Sequence, residues 1–188
     1  ITVKNLNMLS QNYWGPFRFI GAGATPGTVI YDNDTYLGAQ LIDARQTNII
    51  MEGSNLLRGT AYYVSPIGGQ AYSTEGGGNQ QMIAASNFTL ADNSRMVMET
   101  YSGTPLYVAS GGKVTFGDNS TIIMTRSNTA ISNEDGLQAL IGIDGTGTVT
   151  VGQNDKVILE GGLLFSGENS GSTATDATTY VANGTLSP

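Results

Sequence analysis

Cysteine and histidine are both absent from this chain. Their absence excludes a disulfide framework, zinc sites built from nitrogen and sulfur ligands, and haem or iron–sulfur ligation. Serine–histidine and cysteine–histidine nucleophile systems go with them. Charge is scarce as well, with 12% charged residues against roughly 25% in an ordinary soluble domain. Lys and Arg number 8 against 15 Asp and Glu, a net charge of −7. A surface so poor in cations is ill suited to nucleic acid, whose non-specific affinity comes from Lys and Arg displacing counterions, so no nucleic-acid partner is expected. No apolar run reaches the roughly 18 residues needed to cross a bilayer, so no direct membrane insertion is expected either. Any chemistry falls to oxygen ligands or to bare surface.

What is abundant is glycine, 26 of the 188 residues, alongside Thr, Ser and Asn. A length of 188 residues suits about one domain. Within it is an internal repeat. Phe88-Thr-Leu-Ala-Asp-Asn-Ser-Arg-Met-Val-Met98 aligns without gaps on Val114-Thr-Phe-Gly-Asp-Asn-Ser-Thr-Ile-Ile-Met124 and on Val149-Thr-Val-Gly-Gln-Asn-Asp-Lys-Val-Ile-Leu159, at offsets of 26 and 35 residues. Leu106 and its neighbours align upstream on Ile141. The longer offset therefore places an insertion between Thr125 and Ile141, read as a short helical turn or a projecting loop.

Each copy reads as strand, tight turn, strand. Apolar pairs at period two (Phe88/Leu90, Val114/Phe116, Val149/Val151) face one way, and Thr89, Thr115 and Thr150 face the other. Asp92-Asn93, Asp118-Asn119 and Asn154-Asp155 supply turns that tolerate left-handed backbone. Copies stacked in register would turn every apolar position into a ladder, the pattern of a parallel β-solenoid. The column of Asn93, Asn119 and Asn154 would be an asparagine ladder inside it. An antiparallel β-sandwich is the competing architecture. Ile1–Met8 alternates cleanly and Gly27–Ile42 reads as strand, Asp-Asn-Asp turn, strand, so the two look like further coils. Residues 64–81 read as a Gly-rich excursion, and 166–188 as a last coil or a linker following a domain over 1–165.

Two stretches carry a family likeness: Val3 to Arg18, with Gln11-Asn-Tyr-Trp-Gly15, and Gly27 to Ile42, with Tyr36-x-Gly-Ala-Gln40. They resemble the pectate-lyase-like adhesive domains of cell-wall-anchored surface proteins in lactobacilli, streptococci and enterococci, over residues 1 to about 166. The resemblance implies an all-β, right-handed parallel β-helix, truncated at its N-terminal end because such domains begin with further coils. It further implies an extracellular adhesin module on a cell surface. The partners would be host-surface glycan, mucin or matrix protein, without catalysis and without a cofactor.

Several residues are candidates for chemistry. Tyr13, Trp14, Tyr62 and Tyr63 are the aromatics placed to stack on sugar rings. Asp32 and Asp34 set oxygen donors in one turn and are the candidates for a structural Ca²⁺, although the spacing matches no EF-hand. Asp43-Ala-Arg45, with Glu52 nearby, is the nearest approach to the carboxylate and base of a Ca²⁺-dependent polysaccharide lyase, the enzymatic alternative. A purely structural stalk or spacer is the other alternative. The file of Thr89, Thr115 and Thr150 is read as ordinary outward-facing strand residues rather than an ice-binding array.

Overall fold

A computed structural model describes residues 1–10, 16–18, 26–38, 41–59, 83–100, 105–108, 111–126, 140–144, 147–161, 177–181 and 184–186. Their regular structure is all β, and no helix among them is long and apolar enough to cross a membrane. The strands are β1 (Thr2–Lys4), β2 (Asn7–Leu9), β3 (Phe17–Arg18), β4 (Gly27–Asp32), β5 (Thr35–Gly38), β6 (Ile42–Glu52), β7 (Ser54–Gly59), β8 (Ile83–Leu90) and β9 (Arg95–Thr100). They continue with β10 (Leu106–Val108), β11 (Lys113–Phe116), β12 (Thr121–Arg126), β13 (Ile141–Asp144), β14 (Thr148–Thr150), β15 (Lys156–Glu160), β16 (Ala177–Val181) and β17 (Gly184–Leu186).

These strands form two sheets, and the chain passes from one to the other in each successive layer. The first sheet runs β1-β4-β6-β8-β10-β13-β16, with β11, β14 and β3 attached. The second runs β2-β5-β7-β9-β12-β15-β17. All pairings are parallel until the last two strands, where β16 lies antiparallel on β13 and β17 antiparallel on β15. Residues 177–181 and 184–186 thus run against the direction of the layers they cover.

Register follows the sequence repeat. Phe88 pairs with Val114 and Val114 with Val149. Met98 pairs with Met124 and Met124 with Leu159. Leu106 pairs with Ile141, as the upstream alignment requires. The inward files are apolar from layer to layer. Val29, Ile49, Phe88 and Val114 stack in the first sheet, and Met8, Tyr36, Leu57, Met98, Met124 and Leu159 in the second. All but the edge residue Met8 are buried in one continuous core. One strand pair has too little apolar surface to bury by itself, so each layer is stabilised by the next. The alternating apolar positions of the repeat point to this shared interior, and Thr89, Thr115 and Thr150 point out of it.

The turn joining the two strands has one residue in left-handed backbone in every layer: Asn5, Asn33, Gly53, Asn93, Asn119 and Asn154, with φ between 56° and 65°. Asparagine tolerates this conformation, and glycine adopts it freely. At Gly53 a side chain is also excluded by space, since a Cβ would lie 2.5 Å from Asn33 Oδ1.

Candidate functional site

The column of Asn93, Asn119 and Asn154 stands on the outside of the turn, exposed in all three layers, which corrects the expectation of an interior ladder. Asn154 Nδ2 does donate to Asn119 Oδ1 at 3.1 Å, at the surface. In the turns of Asn33, Asn93, Asn119 and Asn154 the left-handed residue stays outside and the next residue turns inward, whereas after Gly53 it is the second residue, Asn55, that turns inward. The interior rungs are therefore Asp34, Asn55, Ser94, Ser120 and Asp155. Each accepts a backbone N–H from the preceding layer: Leu6 to Asp34 (2.8 Å), Asp34 to Asn55 (3.0 Å), Gly53 to Ser94 (3.1 Å), Ser94 to Ser120 (3.3 Å) and Ser120 to Asp155 (2.7 Å). A buried N–H without an acceptor costs about 1–3 kcal/mol, so this polar seam meets a need of every turn. On the solvent side a second ladder runs the opposite way. Asp118 N donates to Asp92 Oδ1 (3.0 Å) and Gln153 N to Asp118 Oδ1 (2.8 Å).

The two carboxylates considered for Ca²⁺ are both engaged in these contacts. Asp34, 1% exposed, takes the Leu6 N–H on one oxygen and the Asp32 N–H (3.1 Å) on the other. Asp32 pairs with the Lys4 ammonium and accepts from Asn33 Nδ2 at 2.6 Å. A cation at this turn would compete with donors already in place. Among the described residues no group of three or more Asp, Glu, His or Cys is arranged to hold a metal ion.

Behind this turn lies an unpaired hydroxyl. Tyr31 is fully buried, packs edge-on to Phe17 at a centroid distance of 6.4 Å, and its Oη has no hydrogen-bond partner. Replacing Tyr31 by Phe is expected to stabilise the fold by about 1 kcal/mol, since the ring packing is kept and an unsatisfied polar atom is removed. Urea denaturation measures it, and a loss of stability would mean that the hydroxyl has a partner.

Alkaline pH should weaken the same region. Burial, then the Asp34 carboxylate and Tyr36, push the Tyr31 phenol up, and Asp32 holds the Lys4 ammonium above its ordinary value. For both groups the folded chain keeps its proton where the unfolded chain releases it. Their stabilising contribution is complete below about pH 10 and is lost as pH rises beyond it. The urea midpoint should therefore fall between about pH 9 and pH 11, with absorbance at the phenolate band showing Tyr31 ionising only on unfolding. A constant midpoint would contradict this.

The broadest regular surface is the outward face of the first sheet. One file there is Thr2, Ile30, Ile50, Thr89, Thr115 and Thr150. Two residues upstream along the strands, Thr28, Asn48 and Asn87 form a parallel file, continued by Lys113 and Thr148. Asn87 Nδ2 donates to Asn48 Oδ1 at 2.8 Å, and its own Oδ1 accepts the Lys113 N–H at 2.9 Å, so these amides are held in fixed orientations. The result, interrupted by Ile30 and Ile50 in the first file and Lys113 in the second, is an array of hydroxyls and amides at about 4.8 Å between layers and about 7 Å along a strand. Such a surface offers hydrogen bonds to a neutral polyhydroxylated chain.

The second file is a feature that the repeat alone did not reveal. Its signal was present in the alternation, because Thr28, Asn48 and Asn87 each precede an inward apolar residue. The candidate stacking aromatics Tyr13, Trp14, Tyr62 and Tyr63 lie outside the described residues, as do 64–81 and, within the insertion between Thr125 and Ile141, residues 127–139. Asp43 and Arg45 sit on β6 two residues apart, and their side chains lie outside the described set as well; Glu52, at the end of the same strand, is half-buried. Comparison with known proteins found no matching family model, no matching curated protein and no matching solved structure.

Proposed function

We propose that this chain is a bacterial cell-surface adhesin module, a right-handed parallel β-helix of the pectate-lyase-like kind. It belongs to a cell-wall-anchored protein outside the cell and binds host-surface glycan, mucin or matrix protein without catalysis or cofactor. The observation that carries the reading is the outward face of the first sheet. Its Thr and Asn files are regular and almost uncharged, and the hydrogen bonds between layers hold part of them in place. Weak contacts repeated along such a face, and over many copies on a cell, add up to firm attachment. The return of the chain to both sheets in each successive layer, with parallel pairing from layer to layer, is the support for the β-helix, and the likeness of the N-terminal stretches to adhesive domains is the support for the cellular setting.

The test is a panel of host glycans, mucins and matrix proteins probed with the full chain and with a Thr89→Lys/Thr115→Lys variant. Binding by the parent chain that falls tenfold or more in the variant, at unchanged Tm, is the expected result. Binding that survives the variant moves the contact to another surface. A chain that binds nothing favours the spacer reading, for which the layer-to-layer ladders of the turn are the specific support, since they make the stack stiff. Unsaturated products from uronic-acid polymers with added Ca²⁺ would replace the proposal by a lyase.

A further inference from the structure

The second sheet presents a different outward face. Its central file is apolar: Leu56, Val97, Ile123 and Ile158 succeed one another in register. Leu56, Ile123 and Ile158 are half-buried although they face away from the core, and Val97 is buried among them. On the neighbouring layers exposed Leu9 and Leu37 extend the apolar surface.

The flanks of this file carry opposite charge. In β9 the outward residues read Arg95, Val97, Glu99. In β15 they read Lys156, Ile158, Glu160, and in β12 between them Thr121, Ile123, Thr125. Over these three layers one edge of the stripe is therefore basic and the other acidic, with a neutral layer between the two charged ones; in β7 the residue on the acidic edge is Arg58, which pairs with Glu99 of its own chain. That order is self-complementary in one arrangement. A two-fold axis parallel to the stacking direction reverses the strands and keeps the layers level. Arg95 then faces Glu99 of a second copy, Lys156 faces its Glu160, and the apolar files meet. A two-fold axis along the strands instead sets basic edge on basic edge.

The geometry points to a second copy of this chain as the occupant of this face, in a dimer with parallel stacking axes and antiparallel facing strands. Such an interface is isologous, the commonest kind in symmetric oligomers. Six strands at about 4.8 Å and five residues at about 3.3 Å give a footprint of about 25 by 15 Å. At about 375 Å² per copy this is below the size of a standard specific interface, so the dimer is a weak one, with a Kd on the order of 10–100 µM. The inference is independent of the adhesin reading, but the two combine. A dimer formed through the second sheets leaves both first-sheet faces outward, one on each side, and so is bivalent.

Analytical ultracentrifugation over a concentration series up to about 0.3 mM tests it. The parent chain should pass from monomer to dimer, and Ile123→Lys should stay monomeric with its Tm retained. The orientation is read from Lys156→Glu and Glu160→Lys. This pair is preferred because Glu99 already accepts from Arg58 Nε at 2.7 Å within its own chain. Each variant alone sets like charges together and should weaken dimerisation at least tenfold, whereas an equimolar mixture should restore it as a heterodimer. A parent chain monomeric throughout overturns the proposal, and so does a mixture no more associated than its components. Glycan binding is read separately, so failure of either proposal leaves the other standing on its own result.

Discussion

Replacing Asp34 by alanine is expected to cost about 3–5 kcal/mol of folding stability, which for a chain of this size lowers Tm on the order of 10 °C. The carboxylate is 1% exposed and serves two backbone donors, Leu6 N–H at 2.8 Å and Asp32 N–H at 3.1 Å. Alanine leaves both without an acceptor in a turn too closed for water to replace it. Asp34→Asn should cost about half as much, since one oxygen remains for one N–H while the amide nitrogen confronts the other. The outer column behaves differently. Asn93 is exposed, and its left-handed backbone at φ 56° is one that glycine adopts without strain, so Asn93→Gly should change stability by less than about 1 kcal/mol. Urea denaturation of the three variants decides the matter. A loss below about 1 kcal/mol for Asp34→Ala would mean that the buried seam is not what holds the turns.

This contrast between inner and outer turn positions also marks the limit of what the sequence could convey. The ungapped repeat over Phe88–Met98, Val114–Met124 and Val149–Leu159 predicted strand register to the residue, because every apolar position in it faces a shared interior and tolerates little change. It could not tell which polar residue of Asn93-Ser94 or Asn119-Ser120 turns inward. That depends on the sign of φ at the asparagine, and Asn is chosen for the turn and Ser for the rung on different physical grounds. The layer formed by β6 and β7 escaped the alignment for a related reason. Its turn has Gly53 where the others carry Asn, and it is shorter than the turns after β8 and β11, so a gapless comparison slides past it. The outward Asn48 and Asn87 were hidden by distance in sequence, 39 residues apart yet bonded at 2.8 Å. The antiparallel return of β16 and β17 has no periodic signal at all, because closing a stack requires pairing with its last layer and not repetition of it.

Gly38→Ala is expected to be as damaging as the loss of Asp34, for steric reasons, with at least about 3 kcal/mol lost. Tyr36 and Gly38 both point inward from β5. A Cβ on residue 38 would collide with the Tyr36 hydroxyl and lie 2.6 Å from its Cζ and 2.7 Å from the Ser10 carbonyl oxygen. None of these has room to retreat. The Tyr36 ring is fully buried between Met8 of one layer and Leu57 of the next, and Ser10 is tied to β5 by its N–H to the Leu37 carbonyl at 3.0 Å. If the tyrosine is the main obstacle, shortening it should relieve the clash. Tyr36→Leu alone should destabilise by leaving a cavity, yet combined with Gly38→Ala it should cost less than the sum of the two by about 1–2 kcal/mol. Strict additivity would instead place the obstacle in the Ser10 backbone. The coupling also gives a physical account of the Tyr36-x-Gly38 pair. In this layer the buried Tyr36 ring occupies the space that a side chain at position 38 would need, so the pair is a packing requirement of this layer whatever the outer face does.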